Sequence, residues 1–190
     1  MKISKYSHWI VLFSSIILFL VNFLTRFGIA GNLVFWIGLP LIVSYFTGFK
    51  FKNIGLALIR KKDAPLIVLL FFLGIATAYY SSTIEETLEY YSLFDFNINF
   101  VSSWIVSLVG VEFFFRGFML FGLENRFGKY STIIQAIPYM LIHLGKPWTE
   151  FYFSFFVGII FALINLRGRS FMPSFIVHLS GLWIVYLANA

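Results

Sequence analysis

The sequence predicts an all-α polytopic transmembrane helical bundle with about seven membrane-spanning helices. Hydrophobic residues make up 60% of the 190 residues, aromatic residues 22% and charged residues only 12%, and the mean hydropathy is +0.89. A soluble domain of this length could not bury so much apolar surface, whereas helices in lipid can expose it. No linker, repeat or low-complexity segment divides the chain. We therefore expect one integrated membrane domain.

Seven apolar runs are the candidate spans, although the fifth and sixth are short for a full crossing. They lie at approximately 8–25, 29–48, 65–81, 99–122, 130–145, 151–166 and 171–189. The first run resembles a signal sequence, but no small-residue cleavage site follows it, so we expect an uncleaved helix. Within the one domain, residues 1–98 form N-terminal helices with a basic cytoplasmic loop, and residues 99–190 form the core helices.

The basic residues predict the orientation in the membrane. With a cytoplasmic N-terminus, eleven basic residues fall inside, namely Lys2, Lys5, Lys50, Lys52, Arg60, Lys61, Lys62, Arg126, Lys129, Arg167 and Arg169. Only Arg26 and Lys146 fall outside, beside an acidic loop, residues 83–95. The positive-inside rule therefore predicts a multi-pass cell-membrane protein with its N-terminus in the cytoplasm and its C-terminus outside. The basic segment 49–64 is expected either along the inner headgroup surface or in solvent.

The most informative charges lie inside an apolar run. Glu112 and Arg116 are separated by three phenylalanines in the fourth span. A charge at the centre of a membrane helix costs about 3 kcal/mol, so such residues usually face the protein interior and mark a functional site. At positions i and i+4 the two side chains share one face of a helix and can neutralise each other. A buried ion pair that only fixes helix packing is the structural alternative.

Two imidazoles, His143 and His178, are comparably submerged in later spans. From a rise of about 1.5 Å per residue, Glu112 lies about 15 Å, His178 about 10 Å and His143 about 20 Å from the cytoplasmic end of each span. We expect the three side chains to meet near mid-bilayer, roughly 3–7 Å apart around a shared water. Either histidine alone could instead be an interfacial residue or a bridge between helices.

These residues, in this order, resemble a known family. Glu112, Arg116 and Gly117 are followed by Tyr139 and His143, an aromatic residue four positions before a histidine, and then by His178. The pattern is similar to that of the CAAX protease and bacteriocin-processing family, which includes the type II CAAX prenyl endopeptidases. The similarity covers about residues 103–187. The resemblance implies an intramembrane glutamic endopeptidase with Glu112, Arg116, His143 and His178 as its site residues and with no cofactor.

Two positions depart from the family pattern. The family usually has a pair of glutamates before the arginine, and here Val111 stands at the first of the two positions. It often has a small polar residue four positions after the last histidine, and here that residue is Leu182. Glu112 then takes the water-activating role that the resemblance gives to the first glutamate, and Glu150 could supply a second carboxylate near the outer mouth. The adjacent pair Glu85–Glu86 lies in the acidic loop without a matching arginine and is not assigned to the site.

The residue types suit peptide hydrolysis. A carboxylate in a low-dielectric site can take a proton from water, and an imidazole N–H can stabilise an oxyanion. We assign Glu112 as the base, oriented by Arg116. His143 is the first choice for the partner of the water or the oxyanion, and His178 is the second. Two histidines and a glutamate could also hold zinc. However, the sequence has no His-Glu-x-x-His element and no cysteine, which excludes thiolate chemistry and cysteine-ligated zinc.

The predicted function is cleavage of a membrane-associated protein or peptide, with the bilayer as the other partner and no nucleic acid. Three other readings stay open. A zinc-dependent protease would use the same residues as ligands. A non-catalytic family member, acting as an immunity or scaffold protein, would bind a peptide in the same groove. A small transporter would use Glu112 and the histidines as a proton relay, but the chain shows no internal repeat of the kind that transporters favour.

Overall fold

Helices make up nearly all of the chain that the structure describes, a computed structural model covering residues 6–25, 28–49 and 53–189. We number them α1 (Ser7–Thr25), α2 (Gly28–Thr47), α3 (Ala64–Ser81), α4 (Glu85–Ser92), α5 (98–127), α6 (Ser131–Leu141), α7 (Trp148–Gly168) and α8 (Met172–Asn189). Every predicted span corresponds to one of these helices. The all-α class and the expectation of about seven spans are therefore confirmed. Five basic residues used for the orientation, Lys2, Lys5, Arg26, Lys50 and Lys52, lie outside the described residues.

Among the residues that the structure describes, five helical segments are long and apolar enough to cross a membrane by themselves. They are Ser7–Thr25, Gly28–Thr47, Lys61–Ser81, Ile98–Leu141 and Trp148–Gly168, and the stretch Met172–Leu187 is a shorter apolar helix. The 44-residue segment Ile98–Leu141 holds both α5 and α6. Because a helix needs about 20 apolar residues to span a bilayer, two crossings fit this segment. The protein is a multi-pass membrane protein.

Helix α5 occupies the centre of the bundle. In the most apolar stretch of Ile98–Leu141, 72% of the residues are buried, against 6% for Lys61–Ser81. Asn97 caps the helix, because its side-chain oxygen accepts hydrogen bonds from the backbone N–H groups of the second and third residues after it, each at 3.0 Å. The helix continues through a π-helical stretch, Phe113–Met119, in which all seven side chains are buried. Short π-helical segments inside α-helices frequently mark functional sites.

The connecting segments gather at two ends of the bundle. At one end, which we call the basic end, the Asp63 carboxylate accepts from Arg60 Nε at 2.7 Å and from Arg167 Nε at 2.9 Å, and Arg169 pairs with Glu124. At the opposite end, the acidic end, the Glu86 carboxylate accepts from the backbone N–H of the first residue of α7 at 3.1 Å. The sequence analysis expected the basic connecting segments on one side of the membrane and the acidic loop on the other, and this grouping matches that expectation. Which end faces the cytoplasm stays a prediction.

Part of the basic segment inserts into the bundle instead of lying on its surface. Ile54 is 1% exposed, and the carbonyl of Gly55 accepts a 2.9 Å hydrogen bond from the backbone N–H of Phe171. A Cβ atom at Gly117 would lie only 2.8 Å from the carbonyl oxygen of Ile54. The absence of a side chain at Gly117 therefore allows the segment to touch the backbone of α5. Leu58, further along the segment, is 89% exposed, as the surface interpretation expected.

The N-terminal helices pack directly on the core helices. Gly74 of α3 approaches Val177 and Ser180 of α8, and Gly122 of α5 approaches Val11 of α1. The division at residue 98 stays a prediction. The acidic loop contains a helix, α4, that the sequence analysis did not expect, and its first turn holds two glutamates, which favour a helix N-terminus.

Candidate active site

Glu112 lies at the end of the α-helical part of α5, immediately before the π-helical stretch. Its side chain is fully buried. Oε1 accepts a hydrogen bond from Nδ1 of His178 at 2.8 Å, and Oε2 accepts one from the hydroxyl of Ser174 at 2.5 Å. Ser174 and His178 are one turn apart on α8, so the same face of that helix presents both donors. Glu112 and His178 form the first carboxylate–imidazole pair, which we call the buried pair.

Arg116 is the charge partner of Glu112, as the i, i+4 spacing predicted. Its side chain is 0% exposed, and Nε lies 3.8 Å from Oε2 of Glu112. The guanidinium carbon lies 3.5 Å from the centroid of the Tyr139 ring, which places the charge over the ring face. Within the described part of the chain, none of its three nitrogens has a hydrogen-bond partner. Arg116 therefore balances the charge of Glu112 and keeps hydrogen-bond donors for another group.

Two further residues complete the surroundings of Glu112, and the sequence analysis missed them. Asn165 of α7 donates from Nδ2 to the hydroxyl of Ser174 at 2.6 Å, and Ser174 in turn donates to Glu112. Both side chains are 0% exposed. The position of Ser174, one turn before His178, was the signal in the sequence that could have identified it. Asn165 lies shortly before the last span in the sequence, but the sequence alone does not show which residues it contacts.

His143 follows the last turn of α6 and has a different environment. Its Nδ1 lies 2.9 Å from the backbone carbonyl oxygen of Tyr139. Because a carbonyl oxygen can only accept, Nδ1 carries the hydrogen, and Nε2 of the neutral ring is left as an acceptor. The ring of Tyr139 contacts both imidazoles, with its centroid 4.9 Å from that of His143 and 6.3 Å from that of His178. His178, the second partner in the sequence-based assignment, is thus the histidine that contacts Glu112 directly.

Glu150 lies in the first turn of α7, next to His143. Its Oε1 is 3.9 Å from Nε2 of His143. Lys146 pairs with the same carboxylate, and the hydroxyl of Tyr91 donates to its Oε2 at 2.7 Å. Burial, followed by the neighbouring Glu150 charge, raises the pKa of the Tyr91 phenol well above its usual value, so the phenol stays a donor. His143 and Glu150 form the second carboxylate–imidazole pair, which we call the mouth pair.

Three further polar residues, Gln135, Glu85 and Glu86, are not part of the two pairs. Gln135 donates to the backbone carbonyls of Thr132 and Gly158, at 2.8 and 2.9 Å, and so ties α6 to α7. Glu85 and Glu86 lie on α4 at the acidic end. No group of three or more His, Asp and Glu side chains in the described ranges is arranged to hold a metal ion. The ionisable residues form two pairs instead of the three-ligand set that the zinc alternative requires.

A comparison with models of known protein families gives a match. Residues 93–183, just under half of the chain, match the family model described as type II CAAX prenyl endopeptidase Rce1-like, and this stretch contains all four residues of the buried pair and the mouth pair. No curated protein and no solved structure matches the chain. The resemblance seen in the sequence is therefore confirmed: over this C-terminal stretch the chain is similar to the type II CAAX prenyl endopeptidases.

Proposed function

We propose that the protein is an intramembrane endopeptidase that hydrolyses a peptide bond in a membrane-associated protein or peptide by Glu-dependent activation of water. The match of residues 93–183 to the family model supports protease activity as a class. The mechanism and the residue roles are our proposal. The observation that carries it is the buried pair, a fully buried carboxylate bonded at 2.8 Å to an imidazole whose side chain is 30% exposed. Such a pair connects a desolvated charge to a site that water and substrate can reach.

Glu112 and His178 act together as one acid–base unit. A neutral imidazole that donates from Nδ1 to a carboxylate presents Nε2 as its proton acceptor. When Nε2 takes a proton, the charge on Glu112 stabilises the imidazolium, and the same Nε2–H can then donate to the oxyanion or to the leaving nitrogen. Arg116 keeps the unit close to neutral overall and holds Glu112 in place. Glu112 thus serves as the base through His178.

His143 supplies the second imidazole edge. Its Nε2 is not used by the bond that fixes the ring, and both His143 and His178 pack on the ring of Tyr139. We place the scissile carbonyl group and the attacking water between these two edges. General acid–base groups of this type typically contribute about 10²–10⁴-fold to the rate. Water is the nucleophile in this proposal. Ser174 is not assigned that role, because its hydroxyl donates to Glu112.

We also propose the orientation that the basic residues predict, with the basic end in the cytoplasm and the acidic end outside. In the described ranges Arg60, Arg167 and Arg169 all lie at the basic end, and the acidic helix α4 lies at the other. The mouth pair then opens toward the outer side of the membrane. A reporter fused after Ala190 that is active only in the cytoplasm would contradict this orientation.

The test is proteolysis by the purified full chain in proteoliposomes, with fluorescein-labelled casein and a farnesylated CAAX peptide as probes. We expect the wild type to cleave at least one probe and Glu112→Gln to lose about 10²-fold or more of kcat, because glutamine keeps the shape of the side chain but cannot hold a proton. A chelator arm reports on the zinc alternative, and we expect no loss of activity in it. A wild type that cleaves neither probe, or a fully active Glu112→Gln variant, would overturn the proposal.

The same experiment separates the non-catalytic alternative. Val111 and Leu182 replace polar residues of the family pattern and are the observations that favour it. A scaffold or immunity protein would bind a peptide without cleaving it, and its biological effect would survive Glu112→Gln. An endopeptidase loses product formation in that variant while the protein remains folded, which a thermal unfolding midpoint close to that of the wild type would show.

A further inference from the structure

The mouth pair contains two acceptors that face each other without a hydrogen between them. Nε2 of His143 is an acceptor in the neutral ring, because Nδ1 carries the hydrogen that goes to the Tyr139 carbonyl. Oε1 of Glu150 is an acceptor as well: it already accepts from the ammonium of Lys146 and keeps a second lone pair for another donor. The 3.9 Å between these atoms is too long for a direct hydrogen bond. The pair is therefore complementary to a group that donates two hydrogens.

Water fits this gap by its geometry. Two hydrogen bonds of about 2.8 Å, drawn from one oxygen to acceptors 3.9 Å apart, enclose an angle of roughly 90° at that oxygen. A water molecule can therefore donate one hydrogen to His143 and the other to Glu150. Its lone pairs then point away from both acceptors, toward an approaching carbonyl carbon. This is the arrangement that a water nucleophile needs.

Both acceptors are held in place by contacts of their own. His143 is 5% exposed, bonded through Nδ1 and packed on the Tyr139 ring. Glu150 is fixed by Tyr91 and Lys146 and lies at the N-terminus of α7, where the helix dipole stabilises a negative charge. Its side chain is 27% exposed at the acidic end of the bundle, whereas the side chain of Glu112 is 0% exposed. This difference in exposure favours the mouth pair as the place where the nucleophile binds.

We propose that Glu150 is a second catalytic carboxylate, which binds and orients the attacking water together with His143 while the Glu112–His178 unit serves the carbonyl oxygen and the leaving nitrogen. This inference rests on the proposed endopeptidase function and divides its proton transfers between two pairs. Val111 of α5 stands where the family pattern has its first glutamate. In this proposal, Glu150 of α7 supplies the carboxylate beside the water that Val111 cannot supply.

The step balances as an ordinary hydrolysis. The water oxygen forms a bond to the carbonyl carbon, one of its protons passes to Nε2 of His143, and the electron pair of the C=O π bond moves to the carbonyl oxygen. When the tetrahedral intermediate collapses, the C–N bond breaks with its electron pair on nitrogen. The nitrogen receives its proton from the His178 imidazolium, the proton held by His143 then passes through water to restore that imidazolium, and the second water hydrogen stays on the new carboxyl group until it ionises. No oxidant, reductant or second substrate is required.

The competing role for Glu150 is anchoring. Tyr91 ties α4 to Glu150 on α7, and Glu86 ties the same two helices through the backbone N–H of Trp148. Removing Glu150 could therefore loosen α4 without touching any chemistry. Two control variants separate these roles. Tyr91→Phe deletes the anchoring bond but leaves the carboxylate, and Glu86→Gln makes the same change of residue type in the other α4–α7 contact.

The experiment compares the full chain and its variants in proteoliposomes, with labelled casein and the farnesylated CAAX peptide as probes. We expect Glu150→Gln to lower kcat by about 10²-fold or more with KM changed by less than about threefold, because the water and not the substrate loses its partner. Glu150→Asp, which keeps the charge, should recover activity to within about 10-fold of the wild type. Glu86→Gln should stay within about threefold, and Tyr91→Phe, which removes one contact that fixes Glu150 but keeps the carboxylate, should lose less than about 10-fold.

Several outcomes would overturn the inference. If Glu150→Gln keeps wild-type kcat while Glu112→Gln is inactive, Glu150 has no catalytic role and the proposed function stands without it. If Glu150→Gln and Tyr91→Phe lose activity and thermal stability to the same extent, the role of Glu150 is anchoring. If the wild type cleaves neither probe, the proposed function itself fails, and this inference fails with it.

Discussion

The two carboxylate–imidazole pairs differ in the way that they treat water. In the buried pair the two side chains touch at 2.8 Å, and both oxygens of Glu112 are occupied by donors from α8. In the mouth pair the two acceptors stand 3.9 Å apart, and Glu150 is partly exposed. One pair therefore holds a charge away from solvent, and the other leaves room for a small donor between its members.

This difference shows how a membrane protein can combine a desolvated charge with access to water. A carboxylate buried without a partner would be costly, so Glu112 is accompanied by Arg116, His178 and Ser174. Glu150 of the mouth pair likewise has charge and hydrogen-bond partners, Lys146 and Tyr91, but its side chain is 27% exposed. Variants that damage one pair and spare the other test the comparison.

We expect the largest structural effect from Arg116→Ala. The change leaves Glu112 as a buried carboxylate without its charge partner, and loss of one member of a buried ion pair typically lowers the free energy of unfolding by about 3–5 kcal/mol. Proteolysis should fall together with stability, although the contacts of the mouth pair remain. Thermal unfolding in detergent and the proteoliposome assay measure both effects.

Arg126→Ala is the matched control for this change, because Arg126 lies on the same helix but is exposed. It should change the free energy of unfolding by less than about 0.5 kcal/mol. An Arg116→Ala variant that unfolds like the Arg126→Ala variant would show that Glu112 does not depend on the guanidinium.

A smaller effect is expected from Gly117→Ala. The added Cβ atom would lie 2.8 Å from the carbonyl oxygen of Ile54 and 3.0 Å from the ring of Phe113, so the backbone next to Arg116 must shift. Overpacking of this kind usually costs about 1–3 kcal/mol of unfolding free energy. The shift affects the buried pair and leaves the contacts of the mouth pair, which lie on other helices, in place.

Gly181→Ala on α8 serves as its control, since the nearest atom to the new Cβ, that of Ala78, is 3.9 Å away. Alanine is the better helix former, so this variant should be neutral or more stable by up to about 1 kcal/mol. Equal unfolding midpoints for the two variants would mean that the contact between Ile54 and Gly117 does not constrain α5.

Ser174→Ala should have an effect on stability no larger than that of Gly117→Ala. It removes one of the two hydrogen bonds to Glu112 and leaves Nδ2 of Asn165 without its acceptor, which costs about 1–3 kcal/mol of unfolding free energy. Activity should fall by less than about 10-fold, because the bond from His178 remains. In the control Ser180→Ala, the lost hydroxyl bonds only to a carbonyl of its own helix. A Ser174→Ala variant as inactive as Glu112→Gln would mean that Ser174 takes part in the chemistry.

The sequence predicted those parts of the site that depend on local spacing. Glu112 and Arg116 are one turn apart on a single helix, so their meeting follows from helix geometry alone. The spans followed from apolar run length. The α4 helix was missed because its polar sequence carries no apolar periodicity, although the two glutamates of its first turn are a helix-start signal.

The parts that depend on contacts between helices could not be predicted. Counting residues along each span gives a depth but does not give the face on which a side chain lies, so His143 and His178 could not be ranked. The structure shows that α8 turns His178 toward Glu112, and that His143 instead contacts Tyr139 and lies next to Glu150. The insertion of Ile54 likewise depends on a glycine more than 60 positions away along the chain.

The most direct test of the account is a double-mutant cycle in kcat between Glu112→Gln and Glu150→Gln. If the two pairs serve one reaction site, each single variant should lose about 10²-fold or more, and the double variant should lose clearly less than the product of the two factors, because groups that act as a unit are not additive. The Glu86→Gln variant combined with Glu112→Gln provides the additive reference. A double variant that loses the full product, or a Glu112→Gln variant that cleaves at the wild-type rate, would contradict the account.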